Sequence, residues 1–102
     1  MNDIQFIEAS RHLAERMMKE EAPLAFGYEL VTAQPPDKET TAELQALFDK
    51  AKASFEADKQ RATALLAVGE SPRDEKLSSV EHAATTVVAS LLLNLDQTLT
   101  RE

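Results

Sequence analysis

Apolar residues recur at three- and four-residue intervals along almost the whole chain, the period of an α-helix packed on one side. Ile4, Ile7, Leu13, Ala14, Met17 and Met18 predict a first helix, with Phe6 on a neighbouring ridge. Asn2 and Gln5 have the spacing of a capping box, which would start that helix near Asp3. The pattern fades at Glu20-Glu21. Pro23 suits the first turn of a second, shorter helix, where its missing N–H costs nothing. Leu24, Phe26, Leu30 and Val31 are its apolar positions. Gly27 weakens its middle by roughly 1 kcal/mol relative to Ala, and Pro35-Pro36 end it.

Asp37, Thr40 or Thr41 caps the longest element. Its stripe is Leu44, Leu47, Phe48, Ala51 and Phe55, opposite a solvated face of Glu43, Asp49, Lys50, Lys52 and Glu56. Asp58 is placed to cap a short fourth helix through Ala62, Leu65, Leu66 and Val68, with Gly69 as its left-handed C′ residue. Residues 70–76 are polar, contain Pro72 and read as a surface loop. Ser78 and Glu81 form a second capping box ahead of Val80, Ala83, Ala84, Val87, Val88, Leu91 and Leu92. Leu93 and Leu95 add apolar surface on other sides, which is the pattern of a central helix. The β-branched run 85–88 lowers helix propensity and is also compatible with a strand. Asn94 or Asp96 is a place where the last helix could break, folding Leu95 and Leu99 back on the bundle.

These elements predict an all-α fold, a compact bundle of four to five helices in which the last packs on the first and third. Residues 1–102 then form one domain. The core candidates are Ile7, Leu13, Met17, Phe26, Leu30, Leu44, Leu47, Phe48, Phe55, Leu66, Val80, Ala84, Val87, Val88 and Leu91.

Composition narrows the partners. The formal net charge is −7, which repels a phosphate backbone and argues against nucleic acid. No stretch approaches the roughly 18 apolar residues of a membrane span, so no membrane insertion is expected. With no Cys, disulfides, thiolate metal sites and thiol catalysis are excluded.

Catalytic chemistry finds little support in the spacing. Glu8 and His12 are four apart and could share a face, whereas Glu81 and His82 diverge by about 100°; neither pair is a metal motif, and both imidazoles read as surface or boundary residues. Ser10, Ser54, Ser78, Ser79 and Ser90 fall in helices or at caps, and Gly27 and Gly69 are too isolated to cradle a phosphate. No catalytic, cofactor or metal residue is therefore assigned, and no cofactor is expected. The most distinctive polar stretch is 69–74, where Glu70, Arg73 and Asp74 could dock a partner segment; equally, Arg73 could pair locally with an acid. Phe6, Leu93, Leu95 and Leu99 lie off the main ridges of the terminal helices and are candidates for an interaction surface.

A-V-G-E-S-P-R-D at residues 67–74 and V-A-S-L-L-L-N-L-D-Q-T-L-T-R-E at 88–102 resemble the end of a planctomycete-specific domain of unknown function. That domain occurs in large, exported, cytochrome c-associated proteins. N-D-I-Q-F-I-E-A-S-R-H-L-A-E-R at 2–16 is similar to the family's N-D-P-x-F-V-E-A-A-R-x-L-A-E-R, with Ile4 in place of proline. A-F-G-Y-E-L-V-T-A-Q-P-P at 25–36 resembles A-F-R-L-x-T-G-R-P-P, with Gly27 for Arg and Ala33-Gln34 for Gly-Arg. The resemblance implies a C-terminal piece of a longer protein, with Met1 an added initiator, and an exported or cell-envelope setting. It implies no catalytic residue. The function expected on this basis is a non-catalytic packing or protein-interaction module whose partners are other domains of the parent, with weak homodimerisation when isolated. The alternative is an accessory part of an active site shared with upstream domains, in redox or polysaccharide chemistry.

Overall fold

The computed structural model describes residues 3–100, with side chains placed for residues 3–95. Among the described residues five helices follow one another: α1 (Ile4–Met17), α2 (Pro23–Thr32), α3 (Lys38–Ala57), α4 (Lys59–Leu66) and α5 (Ser79–Thr100). No strand occurs among the described residues. The all-α bundle is thus a five-helix one, with a Cα radius of gyration of 13.0 Å, the value expected for a compact chain of about 100 residues.

Local chemistry sets the boundaries. Asp3 itself caps α1, its Oδ1 accepting the Phe6 N–H at 2.7 Å; the Asn2 half of the expected capping box lies outside the described residues. Asp37 and Asp58 cap α3 and α4 in the same way, through the N–H groups of Thr40 and Arg61. α2 begins on Pro23 and ends at Ala33, which takes the left-handed conformation at φ 65°. Ala33 therefore holds, with a side chain, a turn that suits glycine. α5 opens behind Ser78, whose Oγ accepts the Glu81 N–H at 3.3 Å.

α5 is the axis of the fold and packs against all four other helices. One core cluster joins Ala14 and Met17 of α1, Leu44 of α3 and Val88, Ala89 and Leu92 of α5, with Phe26 and Tyr28 of α2 against it. A second joins Phe55, Ala62 and Leu66 to Val80, Ala83 and Ala84. Phe48 packs against both. The 85–88 run is helical, and Thr85 and Thr86 donate their hydroxyls to the carbonyls of Glu81 and His82 at 2.8 and 2.7 Å. With their polar atoms satisfied inside the helix, both can be buried.

Three expectations require correction. Leu30 and Leu91, assigned to the core, are 44% and 40% exposed. α5 does not break at Asn94 or Asp96 but runs to Thr100. Gly69 does adopt positive φ, at 96°, but α4 ends at Leu66 with Ala67 as its C-cap, so Gly69 lies beyond the C′ position. A Cβ at Gly69 would sit 2.7 Å from Cδ of Glu8, so the residue serves the approach of α1 as well as the turn.

Candidate functional site

The polar groups of the molecule converge where α1 meets the α4–α5 connection. Glu8, Arg11 and Glu15 stand at i, i+3 and i+7, a spacing that puts them on one face of α1. All three reach backbone atoms of the connection. Arg11, fully buried, donates from Nη1 to the Val68 carbonyl and from Nη2 to the Ser71 carbonyl, the latter at 2.8 Å. The Ser71 N–H donates to Oε2 of Glu8 at 2.7 Å, so both peptide groups flanking Ser71 are held from α1. The Asp74 N–H donates to Oε2 of Glu15 at 3.2 Å. Twelve residues without a helix of their own are thereby tied down every third position.

Electrostatics favours this arrangement. Val68 lies just past the end of α4, where the helix dipole is negative and a guanidinium is welcome. Hydrogen bonds from Ser71 hold the Glu8 carboxyl below its ordinary value of 4.5, the N–H of Glu70 and the nearby His12 acting in the same sense against some desolvation.

His82 lies on the first turns of α5, against Arg11 and Glu15 of α1, with no exposed surface. Its Nε2 is 3.5 Å from the Arg11 carbonyl and 3.7 Å from Oε2 of Glu15. Both neighbours are acceptors, which selects the tautomer with hydrogen on Nε2; Nδ1 is left buried without a partner. Burial lowers the imidazole pKa below 6.5, outweighing the Arg11 carbonyl and Glu15, which favour the cation, while Arg73 and Arg11 add to the lowering. The reading of both histidines as surface or boundary residues holds for exposed His12, whose Nδ1 is 3.9 Å from Oε1 of Glu15; His82 departs from it. Its burial follows from its place on the stripe that continues through Thr85, Thr86 and Ala89.

The nominated polar residues take separate roles. Glu70 is exposed. Arg73 is half-buried and turns back on its own segment, its Nη1 lying 3.5 and 3.4 Å from the carbonyls of Asp74 and Leu77; its local partners are these carbonyls, where an acid was expected. The Asp74 Oδ1 accepts the Lys76 N–H at 3.0 Å. The residues that organise the site, Glu8, Arg11, Glu15 and His82, were not foreseen in this role. One signal for Arg11 was available: it stands four residues after Ile7 and three before Ala14, inside the apolar stripe.

The apolar candidates divide similarly. Phe6 is half-buried and lines a groove of about 270 Å³ with Ile7, Ser10, Leu65, Thr86, Val87, Ser90 and Asn94. Leu93 is half-buried and Leu95 is 37% exposed; the side chain of Leu99 lies outside the described residues. Among the described residues no group of three or more His, Asp or Glu is placed to hold a metal ion, and no helix is long and apolar enough to cross a membrane. Comparison with protein-family models, with curated proteins and with solved structures finds no match for this chain.

Proposed function

We propose that this chain is a non-catalytic helical packing and protein-interaction module. The observation that carries the reading is an unfinished apolar face on α5. Val80, Ala84, Val87, Leu91 and Leu95 follow one another at i, i+4, i+7, i+11 and i+15 and share that face. α4 covers its beginning through Ala62, Leu65 and Leu66, which pack with Val80, Ala83, Ala84 and Val87. An eight-residue helix is only about 12 Å long, against about 33 Å for the 22 residues of α5. Beyond Val87 the face continues less covered, Leu91 and Leu95 being 40% and 37% exposed. α1 runs antiparallel to α5, Ile7 lining the same groove as Asn94 while Arg11 meets His82. This brings Ile4, 61% exposed, to the same end of the bundle. Exposed large apolar side chains gathered at one end are the mark of a contact surface.

The resemblance to the C-terminal domain of large exported cytochrome c-associated proteins supplies the setting, in which the partners are other domains of the parent chain. The rival, a contribution to a shared active site, rested on Glu70, Arg73 and Asp74, whose polar groups serve the connection itself or face solvent. A photo-crosslinking residue at Leu91 in the natural gene product tests the proposal, with exposed Asp49 on α3 as control. The proposal expects one defined crosslink from position 91 to a segment outside the bundle and none from position 49. Crosslinks from position 91 confined to the bundle, or matching those from position 49, would overturn it.

A further inference from the structure

We infer that the 67–78 connection is an acid-released strap, closed by Glu8, Arg11 and Glu15 over a neutral His82 and opened when that imidazole takes up a proton. Each part follows from the geometry. The strap's bonds to α1 fall mainly on its backbone groups at Val68, Ser71 and Asp74, with the Ser71 side chain also on Glu8, so its middle can lift while Ser78 stays in place at the start of α5. His82 is fully buried and is linked to the strap through Oε2 of Glu15, which faces both its Nε2 and the Asp74 N–H, while its Nδ1 is unpartnered.

A proton on Nδ1 would place a second buried donor where no acceptor lies. Burial is what chiefly opposes a cation there, and the nearby arginines add to it. Arg11 of α1 and Arg73 of the strap are positive and lower the imidazole's proton affinity. Glu15 favours protonation, but its Oε2 already accepts the strap's Asp74 N–H, and its Oε1 faces His12. Asp74 turns its Oδ1 to the Lys76 N–H. Glu81, the preceding residue of α5, has its carboxylate 3.7 Å from Lys52 of α3. Turning Glu15 toward an imidazolium would therefore draw it from Asp74, and lifting the strap would give the imidazolium water.

Proton uptake and strap closure thus compete for one site. By linkage, a group that binds protons more readily in the open form raises the open population as pH falls below its open-form value, here the ordinary 6.5. The rise is at most tenfold per pH unit for one proton. Glu8 remains ionised below its ordinary 4.5, so its hold on Ser71 persists between pH 6.5 and 4.5, the range in which the open form of His82 takes up its proton.

Amide hydrogen exchange resolved by residue, each rate divided into its unprotected rate at the same pH, tests this on the full chain. The strap predicts that protection at Ser71 and Asp74 falls by up to about tenfold from pH 6.5 to 5.0, while protection at Phe48 in α3 holds. In His82→Gln, which cannot titrate, the strap's protection should be flat over that range. An equal fall at Phe48, no fall at the strap, or the same fall in His82→Gln would overturn the inference. Should His82→Gln fail to fold, the imidazole resonances of the unaltered protein decide: His82 must titrate together with the strap's loss of protection. An imidazole that titrates with the strap still protected, or only on global unfolding, would overturn it.

Discussion

Arg11 and Ser71, sixty residues apart in the chain, are joined by a 2.8 Å hydrogen bond from a fully buried guanidinium to a peptide carbonyl. Burying a cation costs free energy unless its donors are satisfied, and here two of them meet carbonyls at the end of α4 and just beyond it. Removing the side chain deletes both bonds and leaves a void where the buried guanidinium lay. Arg11→Ala should therefore destabilise the fold by about 2 kcal/mol, read from urea unfolding midpoints at constant slope. A midpoint equal to that of the parent would show that the guanidinium's desolvation cancels its bonds.

Phe48 is half-buried yet touches both core clusters, so its ring joins the α1–α3–α5 packing to the α3–α4–α5 packing. Phe48→Ala should cost about 3 kcal/mol. Leu91→Ala, on the uncovered face of α5, should cost less than about 1 kcal/mol in the isolated chain. Thermal unfolding of the pair checks the order; the reverse order would mean that the assignment of buried and open faces is wrong.

Gly27 is buried in the middle of α2, and a Cβ there would fall 2.6 Å from Sδ and Cε of Met17, itself fully buried. Helix propensity favours Gly27→Ala by about 1 kcal/mol, while overpacking a full core costs about 1–3 kcal/mol. The substitution should therefore destabilise the parent and stabilise a Met17→Ala background. The same sign in both backgrounds would contradict the contact.

Ala33 holds a left-handed φ of 65° at the end of α2. Ala33→Gly relieves that strain and loosens the unfolded chain, for a net gain of about 0.5–1 kcal/mol. A lower melting temperature would contradict the assigned turn.

Acid should weaken the fold in two steps. His82 has a depressed folded-state pKa, so the unfolded chain binds its proton first and stability falls as pH drops below 6.5. Glu8 and Asp37 also have depressed pKa values, the latter through the Thr40 N–H it caps. Their contribution is complete above the ordinary carboxyl values and is lost as pH falls through the folded ones. Denaturant midpoints at pH 7.5, 5.5 and 3.5 should decline in that order; a midpoint that rises on going from 7.5 to 5.5 would refute the role given to His82.

The helices were legible in the sequence because caps and apolar periods are local: Asp37, Asp58, Ser78 and Pro23 each act within a few residues of themselves. Leu91 misled because its period is right and only the length of α4, a non-local fact, leaves it uncovered. Arg11 and His82 were hidden for a related reason. Their burial depends on a connection that arrives from the far end of the chain and offers backbone carbonyls and N–H groups, which carry no residue-type signature. The same property explains why the side chains of Glu70, Arg73 and Asp74 stand out in the sequence while the organising contacts use the peptide groups at Ser71 and Asp74.

The central claim is that α1 holds the α4–α5 connection by its backbone, and the exchange rate of the Ser71 amide at neutral pH tests it most directly. The Ser71 N–H lies outside any helix, yet its bond to Glu8 should slow its exchange by about tenfold relative to an unprotected amide. Glu8→Ala should abolish that protection while leaving α3 unchanged. A Ser71 amide that exchanges at the unprotected rate in the parent protein would contradict the account.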